Sequence, residues 1–199
     1  MRDKIIFATT NEGKMKEIQM ILKDLNYDIV SMKEAGIQID IVEDGKTFEE
    51  NAIIKAKAIM EMTGVMVLAD DSGLEVDAMD KAPGIYSARF LGEDTSYDIK
   101  NNYILDKLKG LPPEDRSARF VCAIACAFPD GEIITTRATI EGAIGYEILG
   151  GNGFGYDPIF WVPEYECTSA QLPADIKNKI SHRGKALEEM KEIIRGRGQ

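Results

Sequence analysis

The sequence predicts an α/β protein in which a mixed central β-sheet is flanked by helices. Two observations carry this prediction. In the first half, short apolar runs alternate with segments of helical spacing, and in the second half two alternating runs meet at a tight turn. Helical crossovers place strands parallel to one another, whereas the tight turn makes an antiparallel hairpin. The sheet is therefore predicted to be mixed rather than purely parallel.

The N-terminal elements alternate between strand and helix. A buried strand is predicted over residues 4–9, and a helix follows it because Ile18, Ile21, Leu22 and Leu25 recur at helical spacing. A second strand is predicted over residues 28–32. After a polar connection, Thr47-Phe48-Glu49-Glu50 has the form of a capping box, which opens a helix that Gly64 can end. Asn51 and Lys55 lie at i and i+4 in that helix and so share one face.

The later elements are predicted from the same signals. A helix over residues 95–108 is ended by Gly110 and two prolines. Alternating residues from Ala118 to Phe128, a turn at residues 129–131 and a return through residues 133–140 predict the β-hairpin. A glycine-rich loop over residues 150–158 precedes a last helix, predicted over residues 183–194.

Composition limits the classes of protein to which the chain can belong. With 199 residues, of which 44% are hydrophobic, the chain can form one domain over residues 1–199. The net charge of −10 argues against a nucleic-acid polymer as partner, although a few converging cations can still hold a small anion. No window reaches the roughly 18 apolar residues of a membrane span, and the N-terminus has no signal-peptide pattern. We therefore expect a cytoplasmic protein without a membrane partner.

The segment from Leu68 to Gly73 is the most informative part of the chain. The apolar run over residues 65–69 is predicted to be a strand that ends in Asp70, Asp71 and Ser72 on a glycine turn. Adjacent carboxylates at the end of a strand suit a Mg²⁺ ion that carries phosphates. Alternatively, the pair is the polar start of a loop or a helix cap.

Three further segments each allow two interpretations. Residues 9–14 leave a strand, enter a helix and end in a lysine, as a phosphate-binding loop does, but Asn11 could instead be an ordinary N-cap with Lys14 solvated. The loop over residues 150–157 could let a planar base approach the backbone, or it could be a flexible surface loop. His182 and Arg183, with Lys177 upstream, could donate hydrogen bonds to a base or lie on the surface. Lys55 and Arg89 could likewise belong to a binding site or be solvated charges on a helix and a loop.

In combination, these segments resemble the inosine triphosphate pyrophosphatase family, the XTP/dITP diphosphatases. The resemblance extends from residue 7 to residue 187 and rests on six segments in the family's order. It implies two lobes around a substrate cleft, a homodimer, and Mg²⁺-dependent hydrolysis of a nucleoside triphosphate. The substrates implied are ITP, dITP and XTP, and the products are the monophosphate and pyrophosphate. The six segments are Ala8-Thr9-Thr10-Asn11-Glu12-Gly13-Lys14, Thr47-Phe48-Glu49-Glu50-Asn51-Ala52, Asp70-Asp71-Ser72-Gly73-Leu74, Pro83-Gly84-Ile85-Tyr86-Ser87-Ala88-Arg89, Phe154-Gly155-Tyr156-Asp157-Pro158 and Ser181-His182-Arg183-Gly184.

The resemblance also implies a role for individual residues. Asp71 matches the family's catalytic carboxylate, and Asp70 and Asp71 are predicted Mg²⁺ ligands together with an upstream acid. That acid is Glu43 or Asp44, of which we favour Glu43. The predicted substrate-binding residues are Thr9, Thr10, Asn11, Glu12, Gly13, Lys14, Asn51, Lys55, Ser72, Arg89, Phe154, Gly155, Tyr156, Asp157, Lys177, His182 and Arg183.

Two other functions compete with this one. The phosphate-binding residues alone do not specify a base, so a pyrophosphatase for pyrimidine or modified nucleotides is one alternative. A nucleotide-binding sensor without catalysis is the other, although the set of Asp71, Lys14 and Lys55 argues against it. The 6-oxo group of hypoxanthine and xanthine accepts hydrogen bonds where adenine donates them, which favours a site lined with donors.

Overall fold

The computed structural model describes residues 3–197 and contains a mixed β-sheet flanked by α-helices, as predicted. In this part of the chain there are seven strands and five α-helices. The strands are β1 Asp3–Phe7, β2 Tyr27–Ser31, β3 Met66–Val76, β4 Ser117–Ala127, β5 Ile133–Ile144, β6 Phe160–Val162 and β7 Cys167–Thr168. The helices are α1 Glu12–Ile21, α2 Phe48–Thr63, α3 Tyr97–Lys107, α4 Ala174–Ile180 and α5 His182–Arg197.

The sheet combines parallel and antiparallel pairing. Its strand order is β2-β1-β3-β4-β5-β6-β7. Strand β1 pairs in parallel with β2 and β3, whereas β6 pairs antiparallel with β5 and β7. The predicted hairpin joins β4 and β5, and the Phe128 N–H donates to the Glu132 carbonyl across its turn. A connection this short joins only antiparallel neighbours. The mixed sheet is therefore confirmed.

The predicted glycine turn after Asp71 is wrong. Strand β3 runs through Asp70, Asp71 and Gly73 without interruption and ends at Val76, and most of its residues are buried. Its first residues, Met66 to Leu68, pair with β1, β4 is its neighbour on the other side, and Leu74 and Val76 are fully buried. Pairing and burial thus override the turn preference of the Ser-Gly dipeptide. Because neighbouring residues of a strand face opposite sides of the sheet, Asp70 and Asp71 point in opposite directions.

Helix α2 shows how local sequence sets the ends of the elements. The Thr47 hydroxyl accepts a hydrogen bond from the Glu50 N–H at 3.1 Å, as the predicted capping box requires. The Glu50 carboxylate accepts from the Lys46 N–H rather than from Thr47, so the box is displaced by one residue. Gly64 ends the helix with φ +69°, in the left-handed region where glycine is favoured.

The chain forms two compact units. The first contains the chain up to Asp71, Cys122–Ala138 and the part from His182 onward, and its core lies between the sheet and helices α1 and α5. The second contains Ser72–Val121 and Thr139–Ser181, with a core that includes Leu74, Ile104 and Phe160. The single two-lobed domain predicted over residues 1–199 stays a prediction. Among the helices of the described chain, none has the length and apolar character needed to cross a bilayer.

Candidate active site

Asp71 lies in the first unit, where helix α2 supplies both of its polar partners. The Asn51 amide donates to Asp71 Oδ2 at 3.1 Å, and Lys55 Nζ lies 3.8 Å from Asp71 Oδ1. Lys55 Nζ also lies 2.8 Å from Glu43 Oε2. The shared helix face predicted for Asn51 and Lys55 is thus observed, and one ammonium group bridges two carboxylates.

Asn51 also fixes the loop that carries Glu43. Its side-chain oxygen accepts a hydrogen bond from the Gly45 N–H at 2.9 Å, and Asn51 is fully buried. A Cβ atom at position 45 would lie 2.6 Å from the same oxygen, so only glycine fits this close approach. The Asn51 amide therefore binds two segments at once. Its oxygen holds the loop that carries Glu43, and its nitrogen holds Asp71.

The environment of Asp71 favours the protonated carboxyl group. Burial raises the pKa of Asp71 to about 6, and repulsion by Glu43 adds to the effect, while Lys55, Asn51 and Lys14 oppose it. Lys55 responds in the opposite sense. Burial alone would lower its pKa, but attraction to Asp71, Asp70 and Glu43 raises it, so the ammonium stays charged. A carboxyl group with a pKa near neutrality is suited to accept a proton.

Asp70 has the opposite environment. It is 1% exposed, and Lys14 Nζ lies 2.9 Å and Arg183 Nη2 3.3 Å from its Oδ2. Although burial alone would raise the pKa of Asp70, Lys14, Arg183 and Lys55 hold it well below its usual range. Arg183 is buried as well and also contacts Glu17 at 2.6 Å. Two adjacent carboxylates thus have pKa values displaced in opposite directions, a pattern that separates an acid–base group from a fixed charge.

The segment from Thr9 to Lys14 combines both of the interpretations considered for it. Asn11 is the N-cap of α1, and its side chain accepts from the Lys14 N–H at 3.0 Å. The Thr9 hydroxyl accepts in turn from the Asn11 N–H at 3.1 Å. Lys14 is only partly exposed, however, and its ammonium pairs with Asp70. Thr10, Asn11 and Glu12 are exposed at the electropositive start of the helix, where an anion is favoured.

The donor set around Lys55 is compatible with Mg²⁺. Residues 3–197 contain no group of three or more His, Cys, Asp or Glu side chains gathered as a metal site. Mg²⁺ commonly binds through only one or two carboxylates and completes its shell with water and substrate phosphates. Glu43 and Asp71 offer two carboxylates beside the same ammonium, and a bound cation would relieve the repulsion between them. Asp44 is exposed, which favours Glu43 as the upstream acid.

The second unit holds the glycine-rich loop, which is organised around Asp157. This buried carboxylate accepts hydrogen bonds from the Phe154 N–H at 2.8 Å and from Ser169 Oγ at 2.9 Å, and it pairs with Lys177 Nζ at 2.7 Å. Lys177 Nζ also lies 5.1 Å from the centre of the Phe154 ring. These contacts hold the part of the loop from Phe154 to Asp157 in place.

Comparison with known proteins places the chain in a family. The sequence pattern that defines the Ham1 family matches residues 5–193, which is nearly the whole chain. The chain belongs to the Ham1 family. The membership predicted from the six motifs is thereby confirmed.

Similar proteins of the Ham1 family align over almost their full length. A "dITP/XTP pyrophosphatase" from Desulforamulus reducens is 51% identical over 191 residues, which cover 96% of this chain and 95% of that protein. A second one, from Exiguobacterium sibiricum, is 50% identical and covers 96% of each chain. The solved structure of the Staphylococcus aureus Ham1 protein has a TM-score of 0.87 at 41% identity, covering 98% of this chain and 100% of that one.

The residues that the sequence predicts for the site fall into two groups, one in each unit. In the first unit there are two sets of contacts at adjacent residues of β3: one joins Asp70 to Lys14 and Arg183, and the other joins Asp71 to Asn51, Lys55 and, through Lys55, Glu43. In the second unit, Phe154, Asp157 and Lys177 form another. Arg89 lies with its guanidinium 5.0 Å from the Tyr86 ring centre, apart from these contacts. Sequence reasoning missed Glu17 and Ser169. No local signal indicates Glu17, because its partner Arg183 lies 166 residues away in the chain.

The raised pKa of Asp71 predicts a pH-dependent stability effect in protein kept free of divalent metal. The folded-state pKa of about 6 exceeds the unfolded value of 3.8, so the wild type loses stability as the pH rises from about 4 to 6. The Asp71→Asn protein cannot ionise there and should gain up to about 3 kcal/mol relative to the wild type across this window. Urea unfolding at pH 4, 5, 6 and 7 measures the difference. Asp44→Asn, at an exposed position, is the control, and a difference that does not vary with pH would contradict the assignment.

Proposed function

We propose that this chain hydrolyses the non-standard purine nucleoside triphosphates ITP, dITP and XTP to the monophosphate and pyrophosphate. The observation that carries the proposal is the pair of adjacent carboxylates with opposite environments, Asp71 beside Lys55 and Asp70 beside Lys14. This arrangement supplies a proton acceptor and fixed cations around two adjacent residues of one strand, as phosphoryl transfer to water requires. The Desulforamulus and Exiguobacterium relatives are each named "dITP/XTP pyrophosphatase", which supports dITP and XTP as substrates.

In the proposed reaction Asp71 acts as the general base. It removes a proton from the water that attacks the α-phosphorus, and Asn51 keeps the carboxylate oriented by donating to Oδ2. Such assistance contributes about 10²–10⁴-fold to the rate. Lys14 and Lys55 neutralise charge on the departing pyrophosphate. Asp70 holds Lys14 at the start of α1, so this ammonium is positioned before the substrate arrives.

Mg²⁺ is the proposed cofactor, with Glu43 and Asp71 as its carboxylates and Asp70 as the third predicted ligand. When bound, the ion supplies neutralisation of phosphate oxygens. Lys55 lies between Glu43 and Asp71, so the same ammonium attracts both carboxylates and holds them near each other. The pairing of Asp70 with Lys14 and Arg183 favours a smaller share for Asp70 in metal binding.

Glu43→Gln should raise the Mg²⁺ concentration that gives half-maximal activity by about tenfold or more. The substitution retains the shape of the side chain but removes one of the two negative charges beside Lys55. Titrating the initial rate with Mg²⁺ at saturating ITP measures this effect. Asp44→Asn is the matched control and should leave the titration unchanged. If Asp44→Asn shifts the curve and Glu43→Gln does not, the assignment of the upstream acid is reversed.

The glycine-rich loop of the second unit is the proposed base-binding element. Phe154 offers a ring for stacking, and the Lys177 ammonium, which pairs with Asp157, lies beside that ring. A donor at the 6-oxo group would favour hypoxanthine and xanthine over adenine. Arg183 is bound to Glu17 and Asp70, which supports a role in holding Asp70 rather than in contacting the base. Its predicted contact with the substrate, like that of His182, stays a prediction.

We also propose that the protein acts as a homodimer in the cytoplasm. Several large apolar side chains of the second unit are exposed, among them Tyr86, Leu91 and Ile99, and a partner subunit would cover such residues. Light scattering coupled to gel filtration should therefore give a mass near twice the 22.1 kDa of the chain. A monomer at micromolar concentration would exclude the dimer.

A panel of nucleotides at matched concentrations tests the proposed function. With Mg²⁺ present, we expect kcat/KM for ITP, dITP and XTP to exceed the values for GTP, ATP and the pyrimidine triphosphates by at least about 100-fold. Faster turnover of a pyrimidine or modified nucleotide would instead support the alternative pyrophosphatase. Intact ITP after long incubation, together with measurable ITP binding, would support the non-catalytic sensor.

A further inference from the structure

We infer that Lys100 and Asn101, in the first half of α3, are positioning residues for the base-binding loop. This inference rests on the proposed function, because it assumes that the loop around Phe154 and Asp157 binds the base. Both side chains are nearly fully buried, at 1% and 2% exposure. Each donates to a backbone carbonyl of a different segment, and each of those segments carries residues expected to contact the substrate.

Asn101 ties α3 to the loop itself. Its amide donates to the Gly155 carbonyl at 3.1 Å. Gly155 has φ +68°, and a Cβ atom there would lie 3.5 Å from the Tyr97 ring, so the helix packs directly against the loop backbone. The Asn101 side-chain oxygen is buried and accepts no hydrogen bond within residues 3–197. A buried oxygen without a hydrogen bond lowers the stability of the fold. What asparagine provides here, and an apolar residue could not, is the hydrogen bond from its amide to Gly155.

Lys100 ties α3 to the segment that precedes Arg89. Its ammonium donates to the Ala88 carbonyl at 2.6 Å and lies 4.9 Å from the centre of the Tyr97 ring. No carboxylate within the described chain forms an ion pair with it, although the side chain is buried. Burial of an unpaired cation is costly, and a methionine of similar length would avoid that cost. The hydrogen bond to the Ala88 carbonyl, next to Arg89, is therefore the contact that lysine makes here and that an apolar residue could not make.

A third contact joins the two segments directly. The Tyr156 hydroxyl donates to the Ser87 carbonyl at 2.7 Å, and the Tyr156 ring packs edge-on against Tyr97 at 5.2 Å. Ser87 is itself fixed to strand β3, because its hydroxyl accepts from the Leu74 N–H at 2.9 Å. Helix α3, the loop and the Arg89 segment thus form a closed set of hydrogen bonds. Breaking one of them should loosen the loop without removing any residue that contacts the base.

Loss of this positioning should weaken binding of the base more than it slows the chemical step. The Phe154–Asp157 loop would then sample conformations that do not hold the base, which reduces affinity for the ground state and the transition state alike. The expected signature is a higher KM for ITP with little change in kcat. Binding of the phosphate chain alone should not change.

The first experiment compares Asn101→Ala with Asn102→Ala. Asn102 is the adjacent, exposed asparagine, and its amide donates only within α3, to Asp98. We expect Asn101→Ala to raise KM for ITP about five- to tenfold, with kcat within about twofold, and Asn102→Ala to match the wild type. Inorganic tripolyphosphate serves as the base-free probe, and its inhibition constant should be unchanged. An unchanged KM, or an equal rise in KM and in this inhibition constant, would overturn the inference.

The second experiment separates positioning from simple destabilisation. Lys100→Met removes the buried charge but keeps the length of the side chain, so we expect an unchanged or higher melting temperature together with a KM for ITP raised about fivefold. A higher melting temperature with wild-type KM would overturn the role of Lys100. Calorimetric titration with IMP provides a readout that does not need catalysis. If the wild type binds IMP but does not hydrolyse ITP, the proposed function fails while the positioning inference is still tested by the IMP affinities.

Discussion

Replacement of Asp71 by asparagine is expected to lower kcat for ITP hydrolysis by about 10²–10⁴-fold, with a much smaller change in KM. Asparagine keeps the shape of the side chain and can still bond to Asn51, but it cannot take a proton from water. The carboxyl group lost has a pKa of about 6 and lies 3.8 Å from Lys55. Steady-state kinetics with a coupled assay for pyrophosphate measures both constants.

Two comparisons make this result specific to Asp71. Asp44→Asn, an exposed aspartate of the same chain, should retain wild-type kinetics. The Asp71→Asn protein should also remain folded, because the substitution is expected to stabilise the metal-free protein at neutral pH. Equal losses in kcat and in affinity for ITP would make Asp71 a binding residue instead of the general base.

Replacement of Asp70 by asparagine should reduce the free energy of unfolding by about 3–5 kcal/mol. Asp70 is 1% exposed and pairs with Lys14 and with the buried Arg183. Without the carboxylate, the positive charges of both partners lose their shared counter-ion inside the first unit. Urea unfolding at pH 7, followed by circular dichroism, measures the change.

Asp24 provides the matched control for Asp70. It also contacts two cations, Lys191 at 3.3 Å and Arg195 at 2.6 Å, but its side chain is half-exposed. Solvent screens such pairs, so Asp24→Asn should have little measurable effect on stability. If both substitutions destabilise the protein equally, burial of the Asp70 cluster is not the cause of its effect.

The local signals in the sequence predicted much of the fold and part of the site. Thr47 and Gly64 mark the ends of α2 because their side-chain and backbone preferences act over a few residues. Asn51 and Lys55 were placed on one face by helical spacing alone, and the structure directs both toward Asp71. Each of these features depends on residues close together in the chain, which is where propensity and periodicity are informative.

The features that were missed depend on distant residues. Strand β3 continues through Asp70 and Asp71 beside β4, which comes from a distant part of the chain, and both aspartates are buried, which the Ser-Gly dipeptide does not indicate. The same continuation turns the two carboxylates to opposite faces and so gives them different partners. Neither Lys100 nor Asn101 has a local signal, because each acts on a carbonyl that is far away in the sequence, at Ala88 and Gly155. Helix α4, which carries Lys177, was not predicted because it has only seven residues.

The central claim is that Asp71 drives hydrolysis between the α- and β-phosphorus atoms of a non-standard purine triphosphate. Phosphorus-31 NMR of ITP incubated with the protein and Mg²⁺ tests this claim most directly, because it distinguishes every product. We predict IMP and pyrophosphate as the initial products, with no signal from IDP, and no product from the Asp71→Asn protein over the same interval. Formation of IDP and inorganic phosphate by the wild type would contradict the claim.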